Sequence, residues 1–494
     1  MKQLDEDICY KALLARDRRF DGRFFTAVLT TGIFCRPICP AITPKRENVR
    51  FFPTAEAAMA HGFRPCLRCR PEVTPGHPAA AGIHATVRRA VQLIEDGALD
   101  RGSIEDLAAR LGIGSRHLRR LFKEHTGVTP REHVRARRLL RARQLIADSN
   151  LSMCEIAAVA GFRSLRRFNA AMKTAYGHAP TAFRRGLRSP RPASVPASPG
   201  PAVGREDLVL RLGARPPFDA TYLLSFFRER AIPGLEQVGP DWYCRGFRLG
   251  DAVGLMHCRF TRDGRGVEIG LRGAVCEKLL EISGRVRRLF DLDSDIAAIN
   301  ALLADDPLLL PLIEKRPGLR VPGCWDRFEL AVRAVLGQQV SVAAARTLAG
   351  RLVMRHGEPL PAALIADCAV THLFPTADSL MNLDLQPIGL TGRRARTLSG
   401  VVALFAAFRA HDPVDASLLA DLAAISGIGP WTLHYFALRG LGEPDAFPAA
   451  DLGLLKASAR GGGPDKAGLL EEHSQRWRPW RAYAAQYLWS SLGD

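Results

Sequence analysis

The sequence predicts a multidomain protein, mainly α with α+β parts, and three observations predict it. Its 494 residues exceed what one core usually fills, so roughly three to four domains are expected. Cys35, Cys39, Cys66 and Cys69 crowd into one short segment near the start. Helical periodicity fills residues 84–186, alternating runs such as Leu208–Leu212 and Val267–Leu271 then mark an antiparallel sheet, and helical spacing returns from about 291.

Residues 188–204, RSPRPASVPASPGPAVG, have no periodicity and read as a linker stiffened in part by proline. A softer boundary lies near 73–82. The expected order is a small zinc domain at 1–78, a helical domain at 84–187, the linker, a sheet subdomain at 205–290 and a second helical part at 291–494.

The net charge of +19 is unevenly placed: residues 1–187 hold 33 Lys and Arg against 17 Asp and Glu. A localised arginine excess is a polyanion footprint and points to nucleic acid. No basic amphipathic helix with an aromatic face accompanies it, which argues against a membrane surface. No apolar run reaches the ~18 residues that cross a bilayer. The charged start, MKQLDEDICYKALLARDRRF, lacks a signal-peptide core. The odd count of 11 Cys does not look like a disulfide framework, so a cytoplasmic, nucleoid-associated protein is expected.

Cys35-x3-Cys39 and Cys66-x2-Cys69 form two close pairs. Zinc takes four soft ligands in a tetrahedron, and such pairs supply them, so one Zn2+ in a four-cysteine site is expected. Spacing alone leaves a purely structural zinc open. The surrounding words, Gly32-Ile-Phe-Cys-Arg-Pro37, Arg46-Glu-Asn-Val49 and Gly62-Phe-Arg-Pro-Cys-Leu-Arg-Cys69, closely resemble the N-terminal domain of the Ada family over residues 3–75. The resemblance implies irreversible methyl transfer from DNA methylphosphotriesters to Cys35, with Arg36, Arg46, Arg64 and Arg68 toward the phosphates. A metal holds sulfur as thiolate at neutral pH, so no general base is needed.

Ser103-Ile-Glu-Asp106 reads as a capping box opening a helix, Gly112-Ile-Gly114 as a turn, and Ser115–Glu124 as a basic helix. The pattern repeats at Ser152–Gly161 and Ser164–Lys173, with matching ends at Thr126–Pro130 and Tyr176–Pro180. A duplicated helix-turn-helix on a long connector, about Pro130–Ala147, would place two readers in successive major grooves. It resembles the AraC/XylS-type DNA-binding domain. Arg116, Arg119, Arg163 and Arg166 are the expected contacts. The pair fits both a regulator that meets operator DNA and RNA polymerase and a simple tether to double-stranded DNA.

Ser426-Gly427-Ile-Gly429-Pro-Trp431 has the form of a helix-hairpin-helix, whose backbone amides face a phosphate. Alone, Gly427 and Gly429 also suit any tight helix–helix turn. With Asp451 about twenty residues on, and with Phe328–Ser341 and Trp477–Tyr483, residues 206–494 resemble the AlkA branch of the helix-hairpin-helix DNA glycosylases. That implies a TATA-binding-protein-like sheet, two helical lobes with a cleft between them, Asp451 as the catalytic carboxylate, and Trp431 and Tyr435 lining the pocket. Bifunctional members carry a lysine where Trp431 stands, so base removal without strand cleavage is expected. The family's wedge leucine is Gln339 here. No Pro-Cys-His-Arg motif occurs, so the transferase domain of many Ada proteins is replaced by the glycosylase.

Overall fold

A computed structural model describes residues 6–492 apart from 15, 17–19, 40, 67–68, 70, 72–84, 96–97, 150, 163, 188–207, 262–263, 265, 274, 276–277, 366–367 and 408–415. The proposed linker, the boundary near 73–82, Arg68 and Arg163 fall outside the described residues. The chain divides into two compact units, Met1–Pro192 and Ala193–Asp494. No described helix is long and apolar enough to cross a membrane.

The first unit opens with helix Glu6–Leu14 and a four-stranded sheet: β1 (Phe25–Val28), β2 (Ile33–Cys35), β3 (Val49–Phe52) and β4 (Arg64–Pro65), in the order β3-β1-β2-β4. Only the β2–β4 pair is parallel. This brings the two cysteine pairs together, because Cys35 ends β2 while Cys66 follows β4 and donates its amide to the Phe34 carbonyl at 2.9 Å.

Helices Ile104–Arg110 and Ser115–Thr126 form the first helix-turn-helix, Pro130–Asp148 connects, and Met153–Val159 and Leu165–Tyr176 form the second. Three capping boxes start helices here: Ser103 with Asp106, Thr129 with Glu132 and Ser152 with Glu155. Each such cap is worth about 1 kcal/mol. Gly127 and Gly177 end the two recognition helices at φ +80° and +78°, a conformation that costs glycine nothing.

The repeat is offset from its sequence reading by one residue. Ser115 and Ser164 look equivalent, yet the N-caps are Gly114 and Ser164. The buried pairs Leu118/Phe168 and Phe122/Met172 set the register, since each must face the core. Arg116 and Arg166 are therefore counterparts, and Arg119 corresponds to Asn169.

The small sheet and the first helix-turn-helix share one core rather than two. Phe25, Phe34, Phe52, Leu107, Leu118, Phe122 and Leu140 belong to a single buried cluster. Thr54 Oγ1 donates to the Thr126 carbonyl at 3.0 Å, and the buried Glu56 lies 4.0 Å from His133 and 3.9 Å from Arg137 on the connector.

The second unit begins with an antiparallel sheet, β5 (Leu208–Gly213), β6 (Glu236–Val238), β7 (Trp242–Leu249), β8 (Ala252–Phe260) and β9 (Gly266–Gly273), in the order β5-β9-β8-β7-β6. Leu210 and Leu212 pair with Ile269 and Val267, and all four are buried, as their alternation requires. Two helical lobes follow. One core gathers Phe328, Leu352, Leu398 and Phe436, the other Ile299, Phe447, Trp477 and Tyr487.

Candidate functional site

Four sulfurs meet in the first unit. The ligand atoms of Cys35, Cys39, Cys66 and Cys69 lie within 4.8 Å of one another, with the Cys39 and Cys66 sulfurs 3.9 Å apart. A tetrahedron with zinc–sulfur bonds of about 2.3 Å has edges near 3.8 Å, so the cluster fits zinc. The crowded thiols are driven apart in opposite directions, Cys39 and Cys66 downward by their sulfur neighbours and Cys35 and Cys69 upward. The Cys35 thiol is pushed well up, chiefly by Cys39 and then Cys66, with burial adding to it. Cys35 is the most exposed of the four at 9 %, and Cys69 the least at 1 %.

The arginines around the cluster have different fates. Arg36, expected on DNA, is only 2 % exposed. Its Nε donates to Asp21 Oδ1 at 2.8 Å, its Nη2 to Asp21 Oδ2, and its Nη1 to the Cys69 carbonyl at 3.3 Å. Its backbone amide donates to the Cys69 sulfur at 3.3 Å. That is a correction: Arg36 holds the cluster and has no surface left for a phosphate. Arg64 is exposed on β4. Arg46 is half-exposed and donates to Glu6 at 2.7 Å. On the recognition helices Arg116 and Arg166 are exposed, whereas Arg119 donates to Glu105 at 2.9 Å.

The second unit holds a cleft of about 780 Å³ lined by, among others, Trp431, Tyr435, Asp451, Trp489, Tyr222 and Arg439. The hairpin positions it. Gly427 has φ +94°, and a Cβ there would sit 2.2 Å from Thr397 Oγ1, so glycine is required. Gly429 caps helix Pro430–Phe436 and faces open space. Gln338 Nε2 donates to the Gly427 carbonyl at 2.9 Å, which ties the hairpin to the turn after helix Arg327–Leu336 in the same lobe.

Asp451 caps helix Leu452–Arg460, with Oδ1 accepting from the Leu454 amide at 2.9 Å. The same carboxylate accepts two indole N–H groups: Trp489 Nε1 on Oδ1 at 2.9 Å and Trp431 Nε1 on Oδ2 at 2.6 Å. Cap and cleft carboxylate are thus one residue. Trp431 stacks on Tyr435 with centroids 5.2 Å apart and planes 13° from parallel. Helix Pro430–Phe436 runs on into a π-helical turn, Ala437–Leu441, a rarity that marks functional sites. Trp489 and Arg439 were not legible in the sequence, since each reaches the cleft from an element whose partners are distant in the chain.

Gln339 stands on the turn between helices Arg327–Leu336 and Val342–His356, at φ +56°. Its neighbours Val340 and Val342 line the cleft, and Gln339 itself does not.

A thiol cluster beside paired DNA-reading helices, together with an aromatic cleft behind a hairpin, defines a DNA-binding repair protein with two chemistries. Comparison with known proteins specifies it. Residues 8–72 match the metal binding domain of Ada, 107–186 a helix-turn-helix domain, and 209–326 the AlkA N-terminal domain. The probable bifunctional transcriptional activator/DNA repair enzyme AlkA of Mycobacterium tuberculosis is 42% identical over 499 residues, covering 99% of this chain and 97% of that protein. DNA-3-methyladenine glycosylase 2 of Escherichia coli is 33% identical over 288 residues, covering 57% of this chain and 97% of its own. The bifunctional transcriptional activator/DNA repair enzyme Ada of Escherichia coli is 42% identical over 146 residues, 29% of this chain and 39% of that protein. The chain belongs to the family of bifunctional transcriptional activator/DNA repair enzymes that join an Ada-type regulatory half to an AlkA-type glycosylase half.

Proposed function

We propose that Cys35 accepts a methyl group from DNA methylphosphotriesters and that Asp451 drives hydrolytic release of alkylated purines such as 3-methyladenine. The domains divide this work as 1–78 for acceptance, 84–187 for DNA reading and 205–494 for excision. The protein acts on double-stranded DNA in the cytoplasm, at the nucleoid, and its helix-turn-helix pair recruits RNA polymerase at operators once Cys35 is methylated.

Bound at Cys35, Cys39, Cys66 and Cys69, zinc keeps the sulfurs ionised. The Cys35 sulfur then forms a bond to the methyl carbon while the carbon–oxygen bond of the triester breaks. The electron pair stays on oxygen and leaves an ordinary phosphodiester. The Arg36–Asp21 pair holds the Cys35–Cys39 loop in register, and Arg46, Arg64 and Arg68 meet flanking phosphates.

In the cleft, an extruded base meets Trp431 and Tyr435, and an electron-poor alkylated ring is attracted to electron-rich faces. Asp451, its oxygens aimed by two indoles and a backbone amide, faces the sugar. As the carbon–nitrogen bond breaks, the sugar gains positive charge that the carboxylate stabilises, and water completes the hydrolysis. With Trp431 where a lysine nucleophile would stand, no Schiff base forms and the strand is left intact. Gly427 and Gly429 allow a phosphate to approach the hairpin amides, and Gln339 stands where a side chain fills the gap left by the flipped nucleotide.

The observation that carries this reading is Asp451, fixed by Trp431 and Trp489 in a cleft large enough for a base. The test is one preparation assayed twice on alkylated DNA: released bases are separated, and methylated peptides are mapped. The expected result is 3-methyladenine release together with a methyl on Cys35 alone. A methyl on Cys39, Cys66 or Cys69, or no released base, overturns the corresponding half.

A further inference from the structure

The cleft contains a cation whose partners among the described residues are all neutral. Arg439 is 5 % exposed, and among the described residues no carboxylate pairs with it. Its Nη1 donates to the Pro322 carbonyl at 2.7 Å and its Nη2 to Gln486 Oε1 at 3.1 Å. Gln486 in turn donates to the Tyr222 hydroxyl at 2.6 Å, which fixes the amide with its oxygen toward Arg439. Every polar partner is neutral. Phe226, Tyr435 and Trp489 surround the guanidinium with ring centroids at 4.5, 5.0 and 5.5 Å.

Elsewhere in the same cleft the pattern is the opposite. Arg245 and Arg333 are compensated by Glu236 and Glu329, in contacts from 2.6 to 3.4 Å. A buried charge without a counter-ion is costly to keep. Its position explains the retention: Trp431, Tyr435 and Arg439 recur at four-residue spacing, so the cation stands next along the ladder on which the base stacks.

Leaving-group chemistry says what such a cation does. An alkylpurine methylated on a ring nitrogen is already cationic. When C1′–N9 breaks, the electron pair cancels that charge and a neutral base departs. An uncharged base takes the same pair and departs as an anion. Water adds to C1′ and loses one proton, and the departed anion later gains one, so the net reaction remains hydrolysis. A fixed guanidinium stabilises the second departure and opposes entry of a cation in the first.

We propose that Arg439 is a specificity-determining residue that extends excision to neutral, carbonyl-bearing bases by stabilising the anion that leaves. This rests on the glycosylase reading above. The test uses the full chain in excess over two duplexes, one carrying 7-methylguanine (cationic) and one hypoxanthine (neutral). The quantity read is the ratio of the two single-turnover rates, which does not depend on the fraction of active protein. R439M should lower hypoxanthine release by on the order of 100-fold, the usual loss for one preorganised electrostatic group. Release of 7-methylguanine should fall far less than that of hypoxanthine, because its departing base carries no negative charge, so the ratio moves. R439K keeps the charge and should keep most of the ratio. An unchanged ratio in R439M overturns the proposal and leaves Arg439 a structural residue. If R439M is insoluble, the wild-type protein decides. Free xanthine should inhibit 7-methylguanine release more strongly as pH rises through xanthine's own ionisation, while free adenine should not, and parallel behaviour of the two overturns the proposal. Wild-type protein that releases neither base overturns the glycosylase reading, and this proposal with it.

Discussion

The two proposed centres, Cys35 and Asp451, pose opposite problems. Around Cys35 four sulfurs lie within 4.8 Å of one another, and Arg36 is turned inward onto Asp21. Around Asp451 lies a cleft of about 780 Å³ with aromatic walls. An acceptor that reacts once needs only a nucleophile and a phosphate track, since its product never leaves. An excising enzyme must admit a base, bind the departing fragment and release it, and that needs space.

The largest effect that tests this contrast is loss of the metal. Structural zinc contributes roughly 10–16 kcal/mol in small domains. A chelator, or C66S, should therefore abolish methyl transfer entirely. Base release should persist, because the second unit has its own cores. Methyl transfer surviving in chelator would show that the sulfurs need no cation. Next is the inward arginine. Removing one partner of a buried pair costs about 3–5 kcal/mol, so R36M should weaken zinc retention and lower the melting temperature of the first unit. R46A, at a half-exposed pair, should leave melting within about 1 kcal/mol and act on DNA affinity alone. Equal melting losses in the two variants would contradict the burial of Arg36.

D451N comes third. The amide oxygen can still accept from Leu454 and Trp489, but its NH2 then faces the Trp431 N–H. The transition state loses its counter-ion, so base release should fall on the order of 10²–10³, with methylation of Cys35 unchanged. Near-normal release would make Asp451 a helix cap only. W489F removes one indole donor and should cost less, roughly 1–3 kcal/mol in the rate barrier, with unchanged affinity for intact DNA.

How much of this was legible in the sequence follows from distance along the chain. The four cysteines, the hairpin and Asp451 sit in short words whose spacing carries the chemistry. The fate of Arg36 does not: its neighbours Cys35 and Pro37 say DNA, and Asp21, fifteen positions upstream, decides otherwise. Ser115 looks equivalent to Ser164 in the repeat, yet the N-caps are Gly114 and Ser164, because Leu118 and Phe122 face the core as Phe168 and Met172 do. Trp489 and Arg439 were hidden for the same reason. Their partners, Asp451 at 38 positions and Gln486 at 47, are joined only by the fold.

The smallest predicted effect is the most informative about regulation. Four thiolates around zinc carry about −2 by formal count, and a methyl on Cys35 turns one into a thioether and removes one negative charge. A unit charge ~8 Å from a phosphate in water interacts by only ~0.5 kcal/mol. Two or three nearby phosphates therefore yield about five- to thirteen-fold in affinity at low salt. Because the acceptor sheet shares one core with the first helix-turn-helix, this gain acts on a body that also carries Arg116. Titrating methylated and unmethylated protein onto one duplex at rising salt should show the two curves converging as the Debye length drops below ~10 Å. A gain that persists at high salt would point to a change of shape rather than of charge. No gain at low salt would mean that the DNA sits too far from the cluster to sense it, and Arg64 and Arg46 would then have to be replaced as the phosphate track.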